Sequence, residues 1–409
     1  MEAYFPKAPF AGKLVQLGIS GSVAAYKAAD LLRAFYKNGM RVNVTLTGSA
    51  QKFISPLTFR ALGAENVYTA MFAHEAENAE HDPFGHLAPG AEADAFVIAP
   101  ASATTLARLA CGTASEILSA QALAWPRQLV LAPAMNPRMW QNKATQENCQ
   151  TLIRRGAVMV QPDSGLVACG EVGDGRFADL RTIYLHTLKA MSVQDLAGKK
   201  VMLTLGPTRE AWDGVRFWSN YSTGIMGAAL AVAAWLRGAE VHAVCGPTAV
   251  WLPSEIKRYN VTAARQMYDE ALKLWPDMHI GIFTAAVADF APAPFGDSKF
   301  KKDKADGALN ISFTANPDIL ASIGAKKHAG QRIIGFAAET DNVKENARKK
   351  LKAKNADLLV ANQIGVSDSG FAGVNNTAFV VDTTGREQDL PNMLKADLAW
   401  RVIDCLLTL

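Results

Sequence analysis

Small residues at the ends of short apolar runs, a cysteine set among glycines and a lysine-rich loop are the features of this chain best suited to chemistry. In Gly18-Ile19-Ser20-Gly21-Ser22 a glycine- and serine-rich turn opens a helical pattern, so its amides and hydroxyls can hold a phosphate at the positive end of a helix. The turn is not GxGxxG, and such turns often serve structure alone. Cys169 stands in Ala168-Cys169-Gly170-Glu171-Val172-Gly173-Asp174-Gly175-Arg176, a glycine-rich, charged stretch that can form either a flap over a substrate or a plain surface turn. The run Lys299 to Lys304, KFKKDK, and the pair Lys350 and Lys354 suit crowded negative charge. Without further context such a run reads as a solvated basic loop.

The elements that must position these residues are short and regular. KLVQLGIS (13–20), RVNVTLT (41–47), DAFVIAPAS (94–102), QLVLAPAM (128–135) and AVMVQPD (157–163) are strand-like apolar runs. Helical patterns such as SVAAYKAADLLRAFYKNG and TTLARLACG separate them, which predicts a doubly wound parallel sheet. A polar, aperiodic joint, AMSVQDLAGKK, follows, and then a second series: KKVMLTLGPT (199–208), a helical GIMGAALAVAAWLRGA, EVHAVCGPT (240–248) and GIFTAAVADF (281–290). The chain is therefore expected to be α/β with two doubly wound, Rossmann- or flavodoxin-like domains, 1–190 and 191–409. Its 409 residues exceed what one core usually supports. The recurrence of Gly-Pro-Thr at 206–208 and 246–248 reads as similar strand-to-loop chemistry, not as a repeat.

Composition narrows the class further. Hydrophobic residues make up 49% and charged residues 20%, the profile of a globular chain. The excess of 42 basic over 38 acidic residues is too small to imply a nucleic-acid partner. No run reaches the length of a membrane span, and the start lacks the apolar stretch of a signal peptide, so a cytoplasmic protein is expected. The five cysteines form no CxxC pair, which points to free thiols and to no zinc site.

Together, GISGSVAAYK, Ala99-Pro100-Ala101-Ser102-Ala103-Thr104, Ala132-Pro133-Ala134-Met135-Asn136-Pro137-Arg138-Met139-Trp140 and ACGEVGDGR resemble the flavin-containing cysteine decarboxylases over most of residues 12–190. The resemblance implies FMN, with Gly21, Ser22, Ser102 and Thr104 as cofactor contacts. It also implies three catalytic residues. His86, in HLAPGAEAD, assists proton removal; Asn136 holds a carboxylate or amide of the substrate; Cys169 supplies a proton when the reduced flavin returns its hydride. His74 and His81 lie nearby but do not fit the motif. A cysteine carboxylate loses CO2 reluctantly because the carbanion has no electron sink; oxidation of the thiol to a thioaldehyde supplies one. Taken one by one, a loop histidine, an Asn before Pro and a Cys beside Gly are a solvated group, a turn former and a packing residue.

The second half resembles the phosphopantothenate-cysteine ligases through LGPTRE (205–210), DGVRFWSNYSTGIMG (213–227), AAVADF (285–290), KFKKDK (299–304), NPDIL (316–320) and GFAAET (335–340). The resemblance implies that 4'-phosphopantothenate is activated by CTP with Mg2+ to an acyl-cytidylate, which the cysteine amine then attacks. Lys299 serves activation, Asn220 holds the acyl intermediate and Arg216 contacts substrate. Asp289, Asn316, Pro317, Asp318, Ile319, Phe336, Lys350 and Lys354 fall on nucleotide-site positions, and Lys301 and Lys302 add positive charge. No residue is assigned to the metal. Ile225 stands where these ligases often carry a lysine, so one charged contact is expected to be missing.

The product of the second activity would be the substrate of the first, which makes a bifunctional enzyme of coenzyme A synthesis the expected function. Two alternatives are a peptidyl-cysteine decarboxylase and a flavin-binding regulatory protein; the attached ligase opposes the first, and the presence of His86 and Cys169 the second. The resembled decarboxylases form trimers and the ligases dimers, so a homo-oligomer, in the limit a dodecamer, is implied.

Overall fold

The structure, a computed structural model, describes residues 1–72, 84–294, 296–301, 309–363 and 373–409. His74, His81 and Lys302 lie outside the described residues. The chain divides into two compact units, Phe10–Ser192 and Val193–Leu409, and residues Glu2–Pro9 group with the second.

The strands of the first unit are β1 (Leu14–Ile19), β2 (Arg41–Leu46), β3 (Val67–Tyr68), β4 (Ala95–Ala101), β5 (Leu129–Pro133) and β6 (Val158–Met159). They form one sheet in the order β3-β2-β1-β4-β5-β6, and every pairing is parallel. The central strands β1 and β4 are buried at every position, as a parallel sheet covered on both faces requires. On one face the helices Lys27–Lys37 and Leu180–Ala190 meet through Phe35 and Tyr184, stacked with ring centroids 5.2 Å apart. On the other, Leu106, Leu118, Cys149 and Leu152, from the helices Ala103–Cys111, Ile117–Leu123 and Lys143–Arg154, pack with Phe96, Ile98 and Leu131. A hairpin of β7 (Asp163–Leu166) and β8 (Val172–Arg176) follows β6.

The second unit contains β9 (Lys200–Leu205), β10 (Arg209–Ala211), β11 (Phe217–Ser219), β12 (Glu240–Cys245), β13 (Lys257–Asn260), β14 (Ile280–Phe283), β15 (Phe290–Pro292), β16 (Phe313–Ala315), β17 (Arg332–Glu339), β18 (Leu358–Gln363), β19 (Asn375–Asp382) and β20 (Glu387–Leu394). Its main sheet runs β13-β12-β9-β14-β17-β18-β19-β20. The first six in that order are parallel and the last two antiparallel. The helix Ile225–Leu236 is buried from Gly227 to Leu236 because it lies between the sheet and the C-terminal helix Lys395–Leu407. The opposite face carries a core built on Trp275, Met267, Ile323, Leu351 and Phe379.

Both units are thus doubly wound, as the sequence predicts; the antiparallel extension β18 to β20 is an addition. The run GIFTAAVADF is a strand only as far as Phe283, because the Thr284 hydroxyl donates to the Thr204 carbonyl at 2.7 Å and the chain then crosses to bridge Pro207 at Ala286. The two Gly-Pro-Thr segments leave the neighbouring strands β9 and β12, and Gly246 donates to the Leu205 carbonyl at 2.9 Å. A Cβ at Gly246 would stand 1.9 Å from the Pro207 carbonyl oxygen, so this second Gly cannot be replaced without moving the loop.

Candidate functional sites at the carboxyl edges of the two sheets

In each unit the strand order reverses beside the first strand, between β1 and β4 and between β9 and β14. At such a point the loops diverge to opposite faces and leave a crevice.

In the first unit that crevice is tied together by serines. The Ser20 hydroxyl donates to the Pro100 carbonyl at 2.8 Å and accepts from the Ser102 amide at 2.7 Å, joining the ends of β1 and β4. Ser22 caps the turn Val23–Tyr26, which leads directly into the helix Lys27–Lys37; its hydroxyl accepts from the Ala24 amide at 3.3 Å and donates to the Ala134 carbonyl at 3.2 Å. Ser102 caps the helix Ala103–Cys111 by accepting from the Thr105 amide at 3.3 Å. Thr104 is exposed on the first turn of that helix. Gly21 is required by space: a Cβ there would meet the Ser49 Cβ at 2.5 Å. Two helical starts and two hydroxyls thus flank the switch point, a donor set that suits a phosphate.

Asn136 and Cys169 come together, although 33 residues separate them. The Asn136 Nδ2 donates to Cys169 Sγ at 3.1 Å and to Glu171 Oε2 at 3.0 Å, while its Oδ1 caps the helix Pro137–Gln141 by accepting from the Arg138 amide at 2.9 Å. Cys169 is exposed. It lies in the loop between β7 and β8 and not in a strand. The hairpin is held down by the Met135 amide, which donates to the Gly175 carbonyl at 2.9 Å, and by an ion pair between Arg138 and Glu171. Arg138 first, then Asn136, hold the Glu171 carboxyl below the usual range. Sequence reading did not single out the Arg138–Glu171 pair, since an i, i+33 contact leaves no local pattern.

His86 sits half-buried in the turn before the helix Ala88–Glu92. The neighbouring Gly85 carbonyl accepts from Gln121 Nε2 at 2.8 Å; the Gln121 oxygen accepts from Thr45 at 2.6 Å, and Thr45 in turn from Gln16 at 2.8 Å. A buried chain of polar side chains therefore anchors this turn to β1 and β2.

The second unit holds a cavity of about 680 Å³, within the usual range of small-molecule sites. Asn220, Asp289, Asn316, Pro317 and Asp318 line it, as do Ile319, Phe336, Lys350 and Lys354. Asn220 donates to the Ala286 carbonyl at 3.0 Å and Asn316 to the Ala288 carbonyl at 2.8 Å, so both asparagines brace the loop after β14. Thr208, fully buried, supports the same loop by accepting from the Ala288 amide at 3.1 Å. Asp318 caps the helix Ile319–Ala325 and pairs with Lys354. Burial pushes its carboxyl up, but the Lys354 ammonium and the Ala321 amide outweigh that and hold it below the ordinary value. Lys350 pairs with Glu339 at 2.6 Å.

Arg216 and Lys299 are not in the wall of this cavity. Arg216 donates to the Phe300 carbonyl at 2.9 Å, and Asp213 accepts from the Phe300 amide at 3.0 Å, which brings Arg216 beside exposed Lys299. Ile225, the first residue of its helix, does line the cavity, as do Asn362, Asn376 and Lys395, which sequence reading did not select. Among the described residues no group of three or more His, Cys, Asp or Glu side chains could hold a metal ion, and no helix is long and apolar enough to cross a membrane.

Two doubly wound sheets, each with polar loops gathered at its switch point, define a two-site α/β protein that binds small molecules. Residues 8–192 match the family described as Flavoprotein, and residues 196–409 match the DNA/pantothenate metabolism flavoprotein C-terminal domain. The coenzyme A biosynthesis bifunctional protein CoaBC of Vibrio vulnificus strain CMCP6 is 39% identical over 98% of this chain and 98% of its own length. The protein of that name from Escherichia coli K12 is 39% identical over 97% of each chain, and that of Bacillus subtilis 168 is 38% identical over 95% of each. A solved C-terminal domain of a CoaBC protein is 36% identical, covers 52% of this chain and 96% of its own, and superposes with a TM-score of 0.44. The chain belongs to the family of bifunctional coenzyme A biosynthesis proteins.

Proposed function

We propose that the second unit joins 4'-phosphopantothenate to cysteine at the expense of CTP, through an acyl-cytidylate, and that the first unit decarboxylates the product to 4'-phosphopantetheine with FMN. What supports the ligase half is one observation: residues drawn from five separate segments between 220 and 354 line a single cavity. Lys350 and Lys354, each already opposite a carboxylate, can turn to incoming phosphates, and Mg2+ would arrive with them. Arg216, bonded to the carbonyl of Phe300 next to Lys299, is like Lys299 outside the cavity wall, and both would act from there.

In the first unit, the turn that admits only Gly21 and the caps Ser22 and Ser102 fit the phosphate of FMN. When bound, that group accepts two electrons from the substrate thiol and later returns them. The chain's own part is proton management. His86 would take a proton as the thiol is oxidised, Asn136 would orient the carboxylate that leaves as CO2, and Cys169 would protonate the carbon when the hydride returns. The 3.1 Å contact between Asn136 and Cys169 sets substrate holder beside proton donor. We further infer a cytoplasmic homo-oligomer. Trp218 and Phe217, exposed on β11, and Tyr221, 93% exposed, supply aromatic area suited to self-association.

The test supplies the purified chain with 4'-phosphopantothenate, cysteine, Mg2+ and CTP or ATP, and follows pyrophosphate and 4'-phosphopantetheine by mass spectrometry. Both products are expected with CTP. In Cys169→Ser, CO2 should still be released while the unreduced enethiol accumulates. Absence of both products with either nucleotide would sink the assignment.

A further inference from the structure

Three polar side chains in the wall of the C-terminal cavity have no part in the function just proposed: Asn362 on β18, Asn376 on β19 and Lys395 at the start of the last helix. Asn376 is 2% and Lys395 3% exposed, so they form its floor. Lysine is rarely buried this completely, and here burial pushes the ammonium down to about 8. Asn362 Oδ1 is buried with no hydrogen-bond partner among the described residues; turning the amide would direct its two donors into the cavity instead. A desolvated ammonium and two amides in one wall make it rich in donors. Its complement is an anion with several acceptor oxygens, held by charge-assisted hydrogen bonds.

We propose that Lys395, with Asn362 and Asn376, grips a phosphate group at the floor of this cavity. The inference rests on the ligase reading above, under which two ligands carry phosphate: the nucleotide and the phosphorylated acid. The same floor chemistry serves either, and binding distinguishes them. Lys395 is a binding residue in this scheme, and the reacting atoms remain with the loops at 220 and 284–289.

Titration calorimetry of the full chain with CTP and Mg2+, with pyrophosphate, and with 4'-phosphopantothenate compares wild type with Lys395→Met and Asn362→Asp. Loss of a charge-assisted contact should weaken the phosphate ligand that reaches the floor by about tenfold or more. The other ligand should change much less. Weaker binding of CTP and pyrophosphate assigns the nucleotide; weaker binding of 4'-phosphopantothenate alone assigns the acid. Asn362→Asp, an isosteric change that sets a carboxylate in the same cavity wall, carries the test should Lys395→Met fail to fold. Binding of every ligand within twofold of wild type in both variants overturns the inference. Failure of wild type to bind any of the three instead overturns the ligase reading on which it depends.

Discussion

Replacing Lys395 by Met should change the stability of the C-terminal unit by an amount that depends on pH. An ordinary lysine titrates near 10.5, whereas burial brings Lys395 to about 8. The difference corresponds to about 3 kcal/mol. Because the folded value is the lower, the unfolded chain binds more protons between the two values, so wild-type stability rises with pH through that window. Below about pH 8 the folded state carries the full penalty; by about pH 10 most of it is relieved. Methionine matches the length of the stem and carries no charge, so it removes this titration. The stability of Lys395→Met relative to wild type should therefore fall by about 2–3 kcal/mol between pH 7 and pH 10. Urea denaturation followed by tryptophan fluorescence can measure it, since six of the eight tryptophans lie in the C-terminal unit. An equal difference at both pH values would show that Lys395 titrates as an exposed lysine does, and would refute the reasoning from burial.

The hairpin over Asn136 gives two further predictions. Gly175 has φ +128°, and a Cβ there would stand 2.5 Å from the Met135 carbonyl oxygen; Gly175→Ala should cost about 1–3 kcal/mol and raise hydrogen exchange at the Met135 amide. Because its partners lower the Glu171 value, the Glu171 contact favours folding above the ordinary glutamate range and is lost as pH falls through the folded value. Protection of the Val167 amide, bonded to the Glu171 carbonyl at 2.9 Å, should accordingly drop on acidification in wild type and show no such drop in Glu171→Gln. Ser102→Ala removes a helix cap, an effect of about 1 kcal/mol, and should speed flavin release, read by the recovery of free-flavin fluorescence. In Gly227→Ala the new methyl would meet the Leu205 Cβ at 2.4 Å, so overpacking of about 1–3 kcal/mol should lower the melting temperature and weaken binding in the adjacent cavity.

Most of the fold was legible because parallel strands buried on both faces read as continuous apolar runs, and β1 and β4 are such runs. The serine and asparagine loops were legible for a related reason: ligand chemistry collects where those runs end. The Val23–Tyr26 turn was not, because SVAAYK continues the helical pattern without a break and only the Ser22 cap sets the turn off from the helix that starts at Lys27. The glycine-rich stretch at 168–176 left flap and turn open; pairing with β7 makes its second half a strand. Lys299 was assigned by motif to activation and Arg216 to substrate contact, yet the Asp213 carboxylate, taking amide hydrogen bonds from Val215, Arg216 and Phe300, ties both segments together outside the cavity wall. Asn362 lies within an ordinary strand, LLVANQ, and Lys395 opens an ordinary amphipathic helix. No local pattern shows that either is buried beside a cavity.

Topology explains why the floor of the second site is built from the end of the chain. In a sheet of parallel strands every helix returns the chain to the amino edge, so new residues reach the site from the carboxyl ends of the strands and from the loops and helices of that return. Beyond β18 the chain instead reverses twice, antiparallel into β19 and antiparallel again into β20, so β20 once more runs with β18. The chain leaves β20 at the carboxyl edge, and the helix that starts there begins with Lys395. A single reversal would have delivered that helix start to the opposite edge. Two reversals bring one more ammonium to the cavity, and its burial follows because the helix must then lie along Ile225–Leu236, whose own first residues line the same space. The first unit lacks this extension and brings its extra polar group, Cys169, by the β7–β8 hairpin inserted after β6. The two units thus share one sheet order up to the sixth strand, and the segments added after it account for the difference between their sites.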